Sequence, residues 1–246
     1  MAEGNDGMVL VAQDLQLSFG AVAALRDVGF SMRTDEAVGI VGPNGAGKTT
    51  FLSVLVGALR PGAGTVRFQG VDVTRLPAAD RCRQGLVRTH QVPRPFNGMT
   101  VFENVFVAAS HGQRFDRETA YAWSLDALTV TGMLSLGNRR AAALGLMDRK
   151  RLELARALAT RPKVLLLDEI GGGLMDAEAG DLVGIIRELR GRGIAIVWIE
   201  HIVHLLLKVT ERLICMDAGT VIADGSPDAV MADSAVIEAY LGGSAR

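Results

Sequence analysis

The sequence predicts an α/β fold: a parallel sheet at the centre, an antiparallel β flap ahead of it and a block of helices inserted mid-chain. Three observations carry that prediction. Continuous apolar runs (AVGIVG from Ala37, KVLLLD up to Asp168 and GIAIVWIE up to Glu200) read as strands buried on both faces. Between about residues 92 and 158 the apolar positions take helical spacing and strand signals thin out. A glycine-rich run, GPNGAGKTT from Gly42 to Thr50, joins the first apolar strand to a helix. The 246 residues suffice for one sizeable domain with a full core. One domain over 1–246 is therefore expected, its core drawn from about 8–91 and 160–242 and its helical insert from about 92–159.

The elements follow in order. MVLVAQDLQLSF and ALRDVGFSM are the two strands of the flap, and AVGIVG is the first buried strand. A helix starts at about Lys48, KTTFLSVLVGALR, and is expected to stop at Pro61-Gly62. GTVRFQGVDV reads as a strand with a glycine turn. TVFENVFVAAS, ETAYAWSLDALTVTGML and DRKRLELARALA are helices, the last with Asp148 as its expected N-cap. RLICMDAGTVIADG is a hairpin turning at Ala218-Gly219, and SPDAVMADSAVIEAYLG is a helical ending. No internal repeat, low-complexity tract or linker interrupts this order.

Composition removes several function classes. Lys and Arg (26) balance Asp and Glu (27), for a net charge of −1, so the chain has no electrostatic footprint for nucleic acid. The two cysteines, Cys82 and Cys215, stand in no metal-ligand spacing and make no disulfide framework, which fits a reducing compartment. The start, MAEGNDGM, has neither the basic residues nor the apolar centre of a signal peptide. No run of about 18 apolar residues is present to cross a bilayer. Hydrophobic content is still high at 49%, which a large core or a covered partner surface would each explain.

Three motifs carry chemistry. Gly42, Pro43, Asn44, Gly45, Ala46, Gly47, Lys48, Thr49 and Thr50 match the phosphate-binding loop: glycines let backbone N–H groups curl around anionic oxygens, and the next helix presents its positive end. Lys48 is expected on the β- and γ-phosphates, and the Thr49 hydroxyl on Mg²⁺. Asp168 and Glu169 close an apolar strand, where Asp168 suits the Mg²⁺ shell and Glu169 can polarise an attacking water. His201 follows another apolar strand, within reach of a γ-phosphate as a donor. His201 with His204 lacks the third ligand that a metal site needs.

With those motifs in this order, the chain from about 8 to 242 resembles the ATP-binding cassette (ABC) ATPases, a branch of the RecA-like P-loop NTPases. It is most similar to the ATPase subunits of branched-chain amino acid importers, on RTHQVPRPFNGMTVFENV, DRKRLELARALA and the tail VIEAYLG. The resemblance implies ATP and Mg²⁺, with hydrolysis at Lys48, Glu169 and His201. It implies that Phe19, 23 positions before Gly42, stacks on adenine, and that Gln91 ligates Mg²⁺ and senses the membrane partner. It also implies that the exposed apolar residues of PRPFNGMTVFEN lie near the groove for a membrane subunit's coupling helix. The expected partners are two transmembrane permease subunits, a second cassette and, indirectly, an extracytoplasmic solute-binding protein. The expected place is the cytoplasmic face of the cell membrane.

The family packs two cassettes head to tail, each ATP lying between one chain's phosphate loop and the other's signature loop. Here that loop departs from the family's Leu-Ser-Gly-Gly-Gln: it reads Leu144-Gly145-Leu146-Met147-Asp148. Beyond the carboxylate pair the family has Gly-Leu-Asp, and this chain has Gly173-Leu174-Met175, with Asp176 one place late. Both departures fall on the surface offered to a partner's nucleotide, so a different cassette with a full signature is the favoured partner, with a homodimer as the alternative. DNA-repair and chromosome cassettes would need a long heptad-patterned insertion, translation-type cassettes a second copy in the chain, and a switch GTPase an Asn-Lys-x-Asp motif; this sequence has none of these. Transport of urea, amides or other amino acids, and ATP binding without transport, stay open as alternatives.

Overall fold

Alternation builds the first sheet. Along β1 (Met8–Phe19), Leu10, Ala12 and Leu15 are buried, and in β2 (Val22–Arg33) Val28, Phe30 and Met32 are buried beside them. A computed structural model describes residues 7–242 of the chain; the acidic start over residues 1–6 and residues 243–246 lie outside the described part. β1 pairs antiparallel with β2 and with β4 (Ala63–Phe68), which pairs with the short β5 (Val71–Asp72), giving the order β2-β1-β4-β5. The glycine turn at Gly70 separates β4 from β5, as the sequence predicts.

The second sheet is the predicted parallel one. β3 (Ala37–Val41), β7 (Val164–Asp168) and β8 (Ala195–Ile199) are buried at every residue. With β6 (Leu86–Arg88), β9 (Arg212–Asp217) and β10 (Thr220–Gly225) they form the order β10-β9-β3-β8-β7-β6, parallel except for the β9–β10 hairpin. Ala218 and Gly219 turn that hairpin with φ of 45° and 83°. Period-two alternation splits the strands between two cores. Val164 and Leu166 pack with Phe51 and the antiparallel sheet, whereas Leu165 and Leu167 pack with the helices on the opposite face.

The helices are α1 (Lys48–Leu55), α2 (Ala78–Gln84), α3 (Val101–Gly112), α4 (Arg117–Val130), α5 (Leu146–Ala159), α6 (Asp176–Gly191), α7 (Val203–Leu206), α8 (Pro227–Met231) and α9 (Ser234–Gly242). α3, α4 and α5 pack on one another around Val105, Leu128 and Leu152. α3 opens with a capping box: Thr100 Oγ1 accepts from Glu103 N (3.1 Å) while Glu103 Oε2 accepts from Thr100 N (2.7 Å).

Two local expectations are corrected, the end of α1 and the start of α5. α1 stops at Leu55, well short of Pro61, because Gly57 takes φ +75° and the buried Arg81 donates to the Val54 and Leu55 carbonyls at 2.8 and 2.6 Å. Asp148 is not the N-cap of α5. The helix starts earlier, with Gly145 as N-cap and Asp148 third in the first turn, and Arg149 N reaches Gly145 O at 3.0 Å. The ending is helical as predicted, in two pieces, α8 and α9, divided at Ala232-Asp233, and α2 and β6 add elements too short for periodicity to reveal.

Candidate functional site

The carboxyl ends of β3, β8, β7 and β6 lie side by side, and the predicted residues leave the sheet there. From β3 the chain enters the loop Gly42–Gly47 and then α1. Gly42 has φ +139°, and a Cβ on it would stand 2.0 Å from Met216 O, so no other residue fits. Gly47, φ +98°, is similarly tight against Ala24 O at 2.6 Å. Lys48 is only 5% exposed and folds back over the loop, its Nζ donating to Gly42 O (2.6 Å) and Pro43 O (2.9 Å). Burial pulls its pKa below the ordinary lysine value, opposed by the carboxylates of Glu169 and Asp168.

A cleft of about 470 Å³ opens over this loop, lined by Asn44–Thr50, Glu169 and, from the flap, Phe19, Ala24 and Arg26. Phe19 is half exposed at its mouth, 51% accessible, and thus free to stack on a planar ring. Gly42 and Pro43, in contrast, do not line the cleft, and the Pro43 carbonyl accepts from Lys48 Nζ and from Ala46 N.

Beside the loop, the three polar residues predicted from separate stretches meet. Glu169 accepts from Gln91 Nε2 on one oxygen and faces His201 Nε2 at 2.9 Å on the other. Glu169 itself holds φ +49°, in the left-handed region, pinned by its N–H donating to Ile199 O at 2.9 Å. Asp168 is fully buried, with Thr49 Oγ1 at 3.4 Å from one oxygen and the Arg88 guanidinium on the other. The Thr49 hydroxyl and the Asp168 carboxylate thus converge beside the loop, oxygen donors that suit Mg²⁺ with phosphate oxygens completing the shell, while Gln91 turns its amide nitrogen to Glu169. Among the described residues no three His, Cys, Asp or Glu side chains gather as a cage for a metal ion.

Arg88 was not legible as a site residue. It joins β6 to the centre by donating to both Asp168 and Ser53 Oγ (2.7 Å), and a lone arginine in a three-residue strand gives no sequence signal. Arg26, on the flap, was likewise missed. Glu200, next to His201, is buried and accepts from Gly171 N and Trp198 Nε1, and burial raises its pKa. A larger cavity of about 810 Å³, lined by Trp123, Arg161 and Lys163 among others, opens at the opposite end of the parallel strands and contains none of the motif residues.

The signature loop lies on a different face. Gly145–Asp148 and Gly173–Met175 border one cleft of about 550 Å³, with Leu146 and Met175 55% and 68% exposed. Lys150, in the first turns of α5, donates to the Ile170 and Gly172 carbonyls and so ties the signature helix to the stretch after Glu169.

The family model for ABC transporters matches residues 25–171, more than half of the chain, across the phosphate loop, Gln91, the signature helix and the carboxylate pair. The chain belongs to the ABC transporter ATPases. A second model, described as that of the branched-chain amino acid ATP-binding cassette transporter, matches residues 220–246 of the cassette. The cassette is 36% identical to the high-affinity branched-chain amino acid transport ATP-binding protein LivG of Salmonella typhimurium, over 95% of this chain and 98% of that one. It is 33% identical to the corresponding BraF of Pseudomonas aeruginosa, over 95% and 98%. Among solved structures it is similar to the ADP conformation of the ATP-binding cassette MJ1267, with TM-score 0.87 and 30% identity over 96% of this chain and 99% of that one. The cassette is thus an ATPase of the P-loop NTPase fold, as predicted, and no helix among its described residues is long and apolar enough to cross a membrane.

Proposed function

We propose that this cassette energises uptake of branched-chain amino acids from the cytoplasmic face of the membrane, through two separate permease subunits fed by a solute-binding protein. The observation that carries the ATPase part is the meeting of Gln91, Glu169 and His201 beside the Lys48 loop. The likeness to LivG and BraF, with the separate match over the tail, supports the solute class.

In this reading the loop Gly42–Thr50 wraps the phosphates of ATP, Lys48 moves from the Gly42 and Pro43 carbonyls onto the β- and γ-phosphates, and Phe19 stacks on adenine. Thr49, Asp168 and Gln91 would hold Mg²⁺, which supplies positive charge to the phosphoryl oxygens. Glu169 accepts a proton from the attacking water, and His201, already facing Glu169, orients that carboxylate and donates toward the γ-phosphate. The helical stretch of about 92–159 carries Val92, Phe96 and Met99 on its exposed approach, apolar cover for a permease helix.

The signature face supports a second cassette of different sequence as the dimer partner. Gly145 lacks a hydroxyl, Asp148 carries a charge where an amide would meet phosphate, and Met175 stands in the aspartate position. A partner with a full signature would complete the ATP site around this chain's own loop.

The deciding experiment reconstitutes the cassette with the permeases and cassette encoded beside it, in vesicles with the cognate binding protein. Leucine, isoleucine or valine should raise ATP turnover and enter the lumen. Stimulation by urea or short amides alone would replace the solute class, and no stimulation by any solute would remove the importer reading.

A further inference from the structure

The tail VIEAYLG carries the likeness to one importer branch, yet none of its residues enters the chemistry described above. In the structure it forms α9, which lies against β10 and α8. Its start is fixed by Asp233, whose Oδ1 accepts from Ala235 N at 2.8 Å and whose carbonyl accepts from Ile237 N at 3.0 Å. Val236 is 1% exposed and belongs to the larger core. Tyr240 follows four residues later, one turn on and on the same helix face. Ile237, Tyr240 and Leu241 are 47%, 40% and 72% exposed. The Tyr240 ring thus stays partly open to solvent while its hydroxyl reaches the loop and accepts from Gly42 N at 2.8 Å.

We propose that Tyr240 is a positioning residue for the ATP site, a latch by which the C-terminal helix holds the first glycine of the phosphate loop. Gly42 is the point where β3 ends and the loop begins, and it is buried. Its φ of +139° is open only to glycine, the residue with the most backbone freedom to lose. The end of the strand leaves its N–H without a ladder partner, and a buried N–H needs one. Tyr240 supplies it. The carbonyl of the same residue accepts from Lys48 Nζ at 2.6 Å, so both polar groups of Gly42 are held, one by the tail and one by the lysine. When Lys48 turns to phosphate it releases that carbonyl, and the Tyr240 bond then keeps the loop entrance in register. The phenol keeps its proton, since burial raises its pKa above the ordinary value, and it acts as a neutral acceptor.

This inference rests on the reading that Gly42–Thr50 holds the nucleotide phosphates. Tyr240→Phe in the full chain keeps the ring and its packing and removes only the acceptor. A ring that merely fills space predicts no change. The latch predicts a melting temperature within a few degrees of wild type and a MgATP dissociation constant, measured by calorimetry, raised about 5- to 10-fold. In the assembled transporter the loss should fall on KM, with kcat at saturating ATP within about twofold. The Gly42 amide should exchange slowly with deuterium in the wild-type chain and quickly in the variant. Wild-type affinity in Tyr240→Phe overturns the latch, as does fast exchange of the wild-type Gly42 amide, a readout that holds even where the variant folds poorly. Lys48→Ala measured in parallel separates the two readings. If it abolishes MgATP binding while Tyr240→Phe changes nothing, the latch alone falls; if it binds normally, the phosphate-loop reading falls first.

Discussion

The two surfaces proposed to face nucleotide are built differently. Around its own loop, the charged groups have partners in their own chain: Lys48 on two carbonyls, Glu169 between Gln91 and His201, Asp168 between Thr49 and Arg88. The signature face presents glycine, leucine and methionine to solvent, and the charges lining its cleft are mixed: Asp148 and Glu178 against Arg151, which is already paired with Asp181. The first surface is organised for an anion before any ligand arrives, which is what electrostatic preorganisation requires. The second has a helix N-terminus, backbone donors and one arginine, Arg151, whose charge is shared with Asp181. Such a chain, paired as proposed with a different cassette, would make two unequal ATP sites on one uniform fold.

The comparison breaks most completely at Lys48. Lys48→Ala removes a buried cation from the complete surface, and the proposed phosphate contacts of a charged donor predict a loss of MgATP affinity of about 100-fold or more by calorimetry. Next comes Glu169→Gln. It preserves shape and removes the proton acceptor, so turnover should drop about 100-fold or more while the dissociation constant stays within about threefold. The sharpest form of this test places the same change in the partner cassette of the assembled transporter. In the proposed dimer the partner's ATP faces this chain's signature, so its loss should be much the smaller of the two, and equal losses would erase the asymmetry.

Smaller effects come from repairing the poorer surface. Met175 is the N-cap of α6 and offers no side-chain acceptor to the helix. Met175→Asp should stabilise the fold by about 0.5–2 kcal/mol through capping, read as a raised melting temperature, and should speed hydrolysis at the partner's ATP a few-fold. The smallest expected effect is Gly145→Ser. A Cβ there meets nothing within 4 Å, so the serine fits without strain and adds a cap worth a few tenths of a kcal/mol. Its informative readout is partner-site turnover, which should rise with Asp148→Gln added and stay flat if the backbone donors already suffice.

Local sequence determined a great deal by itself. A run such as VLLLD has too much apolar surface and too little length for anything but a buried strand, and Gly42, Gly45 and Gly47 around Lys48 specify a loop that few other uses require. The β9–β10 hairpin was readable from Ala218-Gly219, because a two-residue turn with both φ positive is a local matter. Where α1 stops was not readable, since that depends on Arg81 arriving from 26 and 27 residues away to take its last carbonyls. The start of α5 was misjudged for a related reason: Asp148 is a good cap in isolation, and the real boundary at Gly145 follows from how the loop leaves the preceding 3-10 turn at Ala141–Ala143. What tertiary structure alone decided is which distant groups meet. Arg88 on Asp168, Gln91 on Glu169 and Tyr240 on Gly42 join residues 80, 78 and 198 positions apart. Periodicity and motif spacing report the environment of a residue along its own element. The order of strands in the sheet and the seat of a helix on the core set its partners, and those come from packing the whole chain at once.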